Sequence, residues 1–140
     1  MSASSGSLPL LIQLARESYR LATEDVLGMK LKAYLTLATL REGKMSQQDL
    51  CTTMHMDPNN CVLMLNHLEG TEYVERVRDP ADRRRHIVVL TEAGREALER
   101  AERAMETLED EVLSGLTAEE REQFRGLLIR ASAREPAPAL

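Results

Sequence analysis

Arg78-Asp-Pro-Ala-Asp-Arg-Arg-Arg85 lies between two short apolar runs, Tyr73–Val77 and Ile87–Leu90, and its reading decides the fold. The runs predict two brief strands, with Asp79-Pro80 starting a turn between them. The connection is longer and more basic than a hairpin needs. Together with Arg76 it sets five arginines against Asp79 and Asp82, in a chain whose formal charge is -5. Arginine offers phosphate oxygens a rigid fork of donors, and its side chain fits narrow minor grooves.

Working outward, the chain just upstream predicts two short helices joined by a tight turn. Ser46-Gln-Gln-Asp49 reads as an N-cap with an acid three residues on, opening a helix that ends around Thr53–His55. Asp57 caps the next helix and Pro58 occupies its first position. Val62, Leu65 and Leu68 form its buried stripe, with Met64 and Cys61, and Gly70 closes it. Two such helices followed by a basic hairpin describe a winged helix-turn-helix, whose second helix enters the major groove of DNA.

The rest of the chain is helical. Ser7 and Pro9 start a first helix, over residues 8–27, with Leu8, Leu11, Ile12, Ala15, Tyr19, Ala22 and Val26 along one stripe and Gly28 at its end. A second carries Leu31, Tyr34, Leu37, Ala38 and Leu40, with Gly43 as its C-terminal cap. Thr91 caps a long helix striped by Ala93, Ala97, Ala101, Leu108 and Val112, and Thr117-Ala-Glu-Glu120 opens a last one with Phe124, Leu127 and Leu128. The expected fold is mainly α with a small β-hairpin wing: a lobe at 30–91, helices for dimerisation at 8–27 and 92–133, a disordered N-terminus at 1–7 and a flexible tail at 134–140. The outer stripes at Leu11, Ile12, Leu108, Val112, Phe124, Leu127 and Leu128 have no sheet to cover them, so a second copy is the expected cover.

Charge is uneven. Residues 30–91 carry nine bases and eight acids, whereas residues 92–140 carry seven bases and twelve acids. Local sign matters more than net charge for docking on phosphate. The acid sits mainly in the last third, away from the proposed reading lobe.

Met45-Ser-Gln-Gln-Asp-Leu-Cys51, Asp57-Pro-Asn-Asn60, His67-Leu-Glu69, the arginine loop and Leu90-Thr-Glu-Ala-Gly94 occur in the order of the multiple-antibiotic-resistance regulator (MarR) family. From about Leu8 to about Ala133 the chain resembles that family. The resemblance implies a homodimeric, DNA-binding repressor on a pseudo-palindromic operator, with a small-molecule effector near the junction of the dimer helices and the lobe. Tyr19, Met29 and Tyr34 are candidate pocket residues, though each such residue is more often plain core.

The candidate DNA-contacting residues are Ser46, Pro58, Asn59, Asn60, Leu63, Asn66, His67, Arg76, Arg78, Arg83, Arg84 and Arg85. Asparagine can pair with adenine N6 and N7, and free N–H groups at a helix start accept phosphate. The resemblance implies that a wing-tip arginine enters the minor groove while a neighbour ties the loop by an ion pair. Arg83 and Arg84 are the candidates for DNA. Where the family commonly has a threonine and an arginine in the second helix, this chain has Val62 and Leu63, and His67 stands where another arginine is common. No Lys or Arg occurs between Lys44 and Arg76. Leu63 has two readings, contact with a thymine methyl or burial in the core. The runner-up function is therefore a dimeric winged-helix protein-interaction module with weak or lost DNA binding.

Cys51 and Cys61 read as buried small hydrophobes in a reducing compartment, and the cytoplasm is the expected location. With His55 and His67 they lack zinc-ligand spacing, so no metal and no cofactor are expected. A phosphate-cradling glycine loop, a His-x-x-x-His pair and a nucleophile elbow are all missing, which argues against an enzyme. The apolar segments are too short and interrupted to span a bilayer, and no basic region precedes Leu8–Ala15 as a secretory signal would require.

Overall fold

A computed structural model describes residues 6–133. Of the N-terminus expected to be disordered at 1–7, residues 1–5 lie outside the described residues, whereas Gly6 is the N-cap of the first helix and Ser7 already belongs to it. The expected tail at 134–140 also lies outside the described residues. The elements are α1 (Ser7–Leu21), α2 (Glu24–Leu27), α3 (Leu31–Thr39), β1 (Met45–Ser46), α4 (Gln47–Thr53), α5 (Pro58–Gly70), β2 (Val74–Arg78), β3 (His86–Leu90), α6 (Glu92–Val112) and α7 (Ala118–Ser132).

The caps explain most boundaries. Ser46 accepts from the Asp49 N–H at the start of α4, and Asp57 accepts from Asn59 and Asn60 at the start of α5, with Pro58 at the first position. Thr117 and Glu120 form the reciprocal capping box of α7. Each satisfies backbone donors that a helix start otherwise leaves open.

Several expectations need correction. The first helix is not continuous from 8 to 27. It stops at Leu21, and Thr23 caps a separate turn, α2, because its hydroxyl accepts from Val26 and the acids Glu24 and Asp25 follow at the positive end. Gly28, left-handed at φ +80°, then ends α2 as a glycine can. Gly43 is not the cap of α3. The chain unwinds after Thr39 through tighter bonds such as Leu40 N–H to the Leu37 carbonyl, and Gly43 at φ +144° turns it into β1. Two-residue β1 lies outside the sequence expectation, being too short for any periodicity. It completes a three-stranded antiparallel sheet of order β1-β3-β2, with Met45 opposite Val88 and Val74 opposite Leu90.

Val62 does not join the buried stripe expected of it: it is 38% exposed, and the buried stripe of α5 is Cys61, Leu65 and Leu68. These lie four and three residues apart, one turn each, so Val62 falls just off their face. The core joins that stripe to Leu27, Ala33, Leu37, Leu40, Leu50, Val74, Val88, Leu98 and Ala101. Met29 belongs to this core as well, at 6% exposure.

The cysteines are not free hydrophobes. Cys51 of α4 and Cys61 of α5 form a disulfide with a Cα–Cα distance of 5.7 Å. The tight turn between the helices brings the two positions within bonding reach, which spacing along the chain alone does not reveal.

The hairpin is fastened to the long helix at Thr91 and Gly94. Thr91 donates its N–H to the Tyr73 carbonyl (3.0 Å) and its hydroxyl to the Glu72 carbonyl (2.6 Å), and the same hydroxyl accepts from Gly94 N–H (3.0 Å). Gly94 lies so close to the hairpin that a Cβ there would collide with the Tyr73 carbonyl oxygen. Only glycine fits without moving backbone. Gly94→Ala should therefore destabilise the fold by about 2–3 kcal/mol, since overpacking against rigid backbone forces displacement. Thermal melting should show a fall of roughly 5–15 °C, and an unchanged melting temperature would mean the hairpin is not seated on α6 as described.

Candidate nucleic-acid interface

The outward face of α5 carries Asn59, Val62, Leu63, Asn66 and His67, all exposed, while its inner face is in the core. Leu63 is 65% exposed, which removes the core reading of that residue. Asn60 and Asn59 differ. The Asn60 amide donates to Asp57 Oδ2 at 2.7 Å and so reinforces the cap, whereas the Asn59 amide is exposed with no side-chain bond among the described residues. Pro58 is exposed beside them. Ser46 sits apart from this surface: it is 5% exposed and its hydroxyl is spent on the α4 cap.

The wing is braced from within. Asp79 N–H bonds the Arg85 carbonyl at 3.0 Å and Arg85 N–H bonds the Asp82 carbonyl at 2.9 Å, closing the loop backbone on itself. The two aspartates add side-chain acceptors: Asp79 Oδ1 takes Ala81 N–H, and Asp82 Oδ1 takes Arg84 N–H and, at 3.3 Å, Arg84 Nε. Arg84's amide and guanidinium hold the Asp82 carboxyl below its ordinary range. Arg78 also braces rather than projects, donating Nη1 to the Arg83 carbonyl at 2.7 Å. Arg83 and Arg85 remain exposed with no side-chain partner among the described residues, and the Arg84 side chain is 92% exposed despite its aspartate.

Arg76 has a third role. From β2 it reaches α5, donating Nη2 to Asn66 Oδ1 at 2.5 Å and to Glu69 Oε1 at 3.0 Å. That guanidinium holds the Glu69 carboxyl below its usual value. The contact orients the wing against the reading helix, and it neutralises the one arginine nearest that helix. The exposed surface thus joins polar, uncharged groups on α5 to a concentrated positive tip on the wing.

Behind this lobe, α1, α3, α6 and α7 surround a mainly apolar cavity of about 620 Å³. Tyr19 and Tyr34 line it together with the Arg41–Glu102 ion pair, whereas Met29 does not. Burial raises the Tyr34 phenol above its ordinary value, against a smaller pull from Arg41. Leu11, Leu108, Val112, Phe124 and Leu128 also border it. No group of three or more His, Cys, Asp or Glu side chains placed to hold a metal occurs among the described residues, and no described helix is long and apolar enough to cross a membrane.

Comparison with known proteins identifies this arrangement. The MarR family model matches residues 30–86, the span from α3 to the first residue of β3. The uncharacterized HTH-type transcriptional regulator YdgJ of Bacillus subtilis is 33% identical over 114 residues, covering 75% of this chain and 70% of YdgJ. The chain belongs to the MarR family. A crystal structure of MarR superposes with TM-score 0.83 at 27% identity, covering 94% of this chain and 92% of that one. A mutant MarR from E. coli solved with operator DNA gives TM-score 0.74 at 24% identity, covering 89% and 91%, and so shares the fold. The protein is thus a winged-helix transcriptional regulator of a DNA-binding family, and the site of interest is a binding surface rather than a catalytic centre.

Because Leu63 faces solvent on α5, Leu63→Arg should leave the melting temperature within a few degrees of the parent. The added guanidinium should tighten binding to all duplexes and lower the ratio of preferred to random DNA, because phosphate contacts carry no sequence information. Parallel melting and affinity titrations check both, and a large loss of stability would place Leu63 in packing.

Proposed function

We propose that this MarR-family regulator is a homodimeric repressor that reads a pseudo-palindromic operator with α5 and anchors itself through the wing. The observation that carries the reading is the wing tip, where Arg83, Arg84 and Arg85 project from a loop whose own aspartates hold its backbone. Asn59 and His67 supply base-edge donors and acceptors, Asn66 supplies only its amide N–H groups because its oxygen is taken by Arg76, and helix N–H groups near Pro58 supply phosphate contacts. Arg76 and Arg78 act by positioning. A repressor of this kind works in the cytoplasm, where bacterial DNA is.

Two further features support assembly and control. Helices α1 and α7 bury no residue of their own in the single chain, and Leu8, Ile12, Leu127 and Ile129 are each at least half exposed. Such a face is covered by a second copy through a two-fold interface, which then sets two α5 helices on successive major grooves. The cavity between α1, α3, α6 and α7 is of ordinary ligand-site size, and a small molecule seated there would shift the lobes and release DNA. A second reading, a protein-interaction module, draws on exposed Val62 and Leu63 and on the lack of fixed positive charge on α5.

A mobility-shift titration against the promoter region of its own gene, at two salt concentrations, tests the operator reading. Salt-sensitive, sequence-selective retardation is expected, and no shift at either salt would favour the interaction module. In the same assay Arg83→Ala with Arg85→Ala should flatten log K against log salt by about 0.9 for each phosphate that the wing no longer neutralises. An unchanged slope would exclude the wing tip from the DNA interface.

Assembly has its own test. Leu127→Glu places a charge on a face expected to bury more than about 2,000 Å² between copies. Sedimentation should show monomers at concentrations where the parent is dimeric, and a dimer of parental stability would move the interface elsewhere.

A further inference from the structure

The disulfide joins the two helices of the DNA-reading unit. Cys51 lies in α4, which packs chiefly on β1 and β3, whereas Cys61 lies in α5, which packs on β2. Each helix has its own hydrophobic anchor, Leu50 in α4 and Leu65 with Leu68 in α5. The covalent tie is therefore additional to the core rather than a substitute for one. Cys61 is 2% exposed, and Cys51 is half-buried and reachable from solvent. On α5, Cys61 is two residues from both Asn59 and Leu63.

Location gives this bond its meaning. A DNA-binding protein works where DNA is, in a compartment that keeps thiols reduced, and disulfides there are transient or sensing rather than permanent braces. The Cα separation of 5.7 Å is within the range that a disulfide bridges without backbone movement. Oxidation and reduction can thus alternate on one fold. We infer that Cys51 and Cys61 form a reversible peroxide-responsive thiol–disulfide site that sets how firmly α5 is held for DNA reading.

The chemistry balances with a hydroperoxide as oxidant. The Cys51 thiolate attacks one peroxide oxygen; an S–O bond forms, the O–O bond breaks, and the departing oxygen takes the thiol proton and leaves as water or an alcohol. The Cys61 sulfur then attacks the Cys51 sulfur; the S–S bond forms, the S–O bond breaks, and hydroxide leaves with the Cys61 proton as water. Two thiols lose two electrons and the peroxide gains them. A dithiol reductant reverses the result by exchange. Cys51 attacks first because it is the accessible sulfur.

The oxidised form keeps α5 in one orientation against α4, and the reduced form lets it sample more. Oxidised protein is accordingly the tighter DNA binder, a direction that rests on the operator reading above. Full-length protein is treated with hydrogen peroxide or with dithiothreitol, then alkylated with iodoacetamide, weighed by mass spectrometry, melted, and titrated with the promoter duplex. The peroxide-treated chain should take up no label and run as a monomer on a non-reducing denaturing gel, while the reduced chain takes up two labels. Reduction should lower the melting temperature by roughly 5–15 °C, the size expected for opening a short cross-linked loop. It should also weaken DNA binding three- to tenfold. Cys51→Ser should melt and bind alike under both treatments, and Cys61→Ala, which leaves no buried hydroxyl, should do the same. Two labels after peroxide, a cross-linked dimer, or equal melting in both states would overturn the inference. So would a melting difference with equal DNA affinity. A melting difference with no DNA binding in either state would uphold the thiol site and count against the operator reading instead.

Discussion

Thr91 holds the two halves of this protein in register. Its backbone and hydroxyl bind the carbonyls of Tyr73 and Glu72 at the entrance to the hairpin, and its hydroxyl also caps α6 through Gly94. The hairpin, the sheet and the long helix therefore meet at one residue. Gly94 permits the approach, because its missing side chain leaves the Tyr73 carbonyl room. A displacement of α6 cannot be absorbed in a loose linker there. It moves the hairpin and, through the Arg76 contacts with Asn66 and Glu69, the recognition helix. These contacts form a continuous chain from α6 through the hairpin to α5.

The arginines divide labour by what surrounds them. Of the five arginines of the hairpin, Arg76 is shielded by carboxylate and amide on α5 and Arg78 by a carbonyl of the wing, while the three at the tip keep their guanidinium groups in water. With no lysine or arginine on α5, the positive charge of this surface is concentrated at the wing, while α5 presents amides, an imidazole and aliphatic surface. In the proposed DNA complex such an arrangement would separate anchoring from discrimination, since phosphate contact fixes position and uncharged groups can read bases without a strong nonspecific pull of their own.

Much of this is legible in the residues. Ser46, Asp57, Thr91 and Thr117 announce helix starts because capping is local chemistry, settled within four residues. The wing is legible for a similar reason, Asp-Pro and alternating apolar strands being short-range signals. The break at Ala22–Thr23 is not, since the apolar stripe runs on through it and only the Thr23 cap decides the matter. Strand β1 depends on Val88 and Ile87, roughly forty residues away, and has no pattern of its own. The pairing of Cys51 with Cys61 is likewise a property of how two helices pack. Within the candidate site, sequence identifies the wing and α5, but only side-chain geometry shows that Val62 and Leu63 face solvent and that Ser46, Asn60, Asn66, Arg76 and Arg78 are occupied by internal partners.

The internal bracing of the wing has a thermodynamic consequence. A loop of like charges would ordinarily be floppy in free solution and would lose much of its freedom on docking, at about 1–2 kcal/mol for each backbone residue fixed. Here Asp79 and Asp82 have already removed that freedom in the unbound protein. In the proposed DNA complex, association would draw mainly on the release of counterions, which is entropically favourable, with little offset from ordering the chain. The wing would then act as a preformed anchor, its capture of a duplex governed by encounter rather than by a folding step.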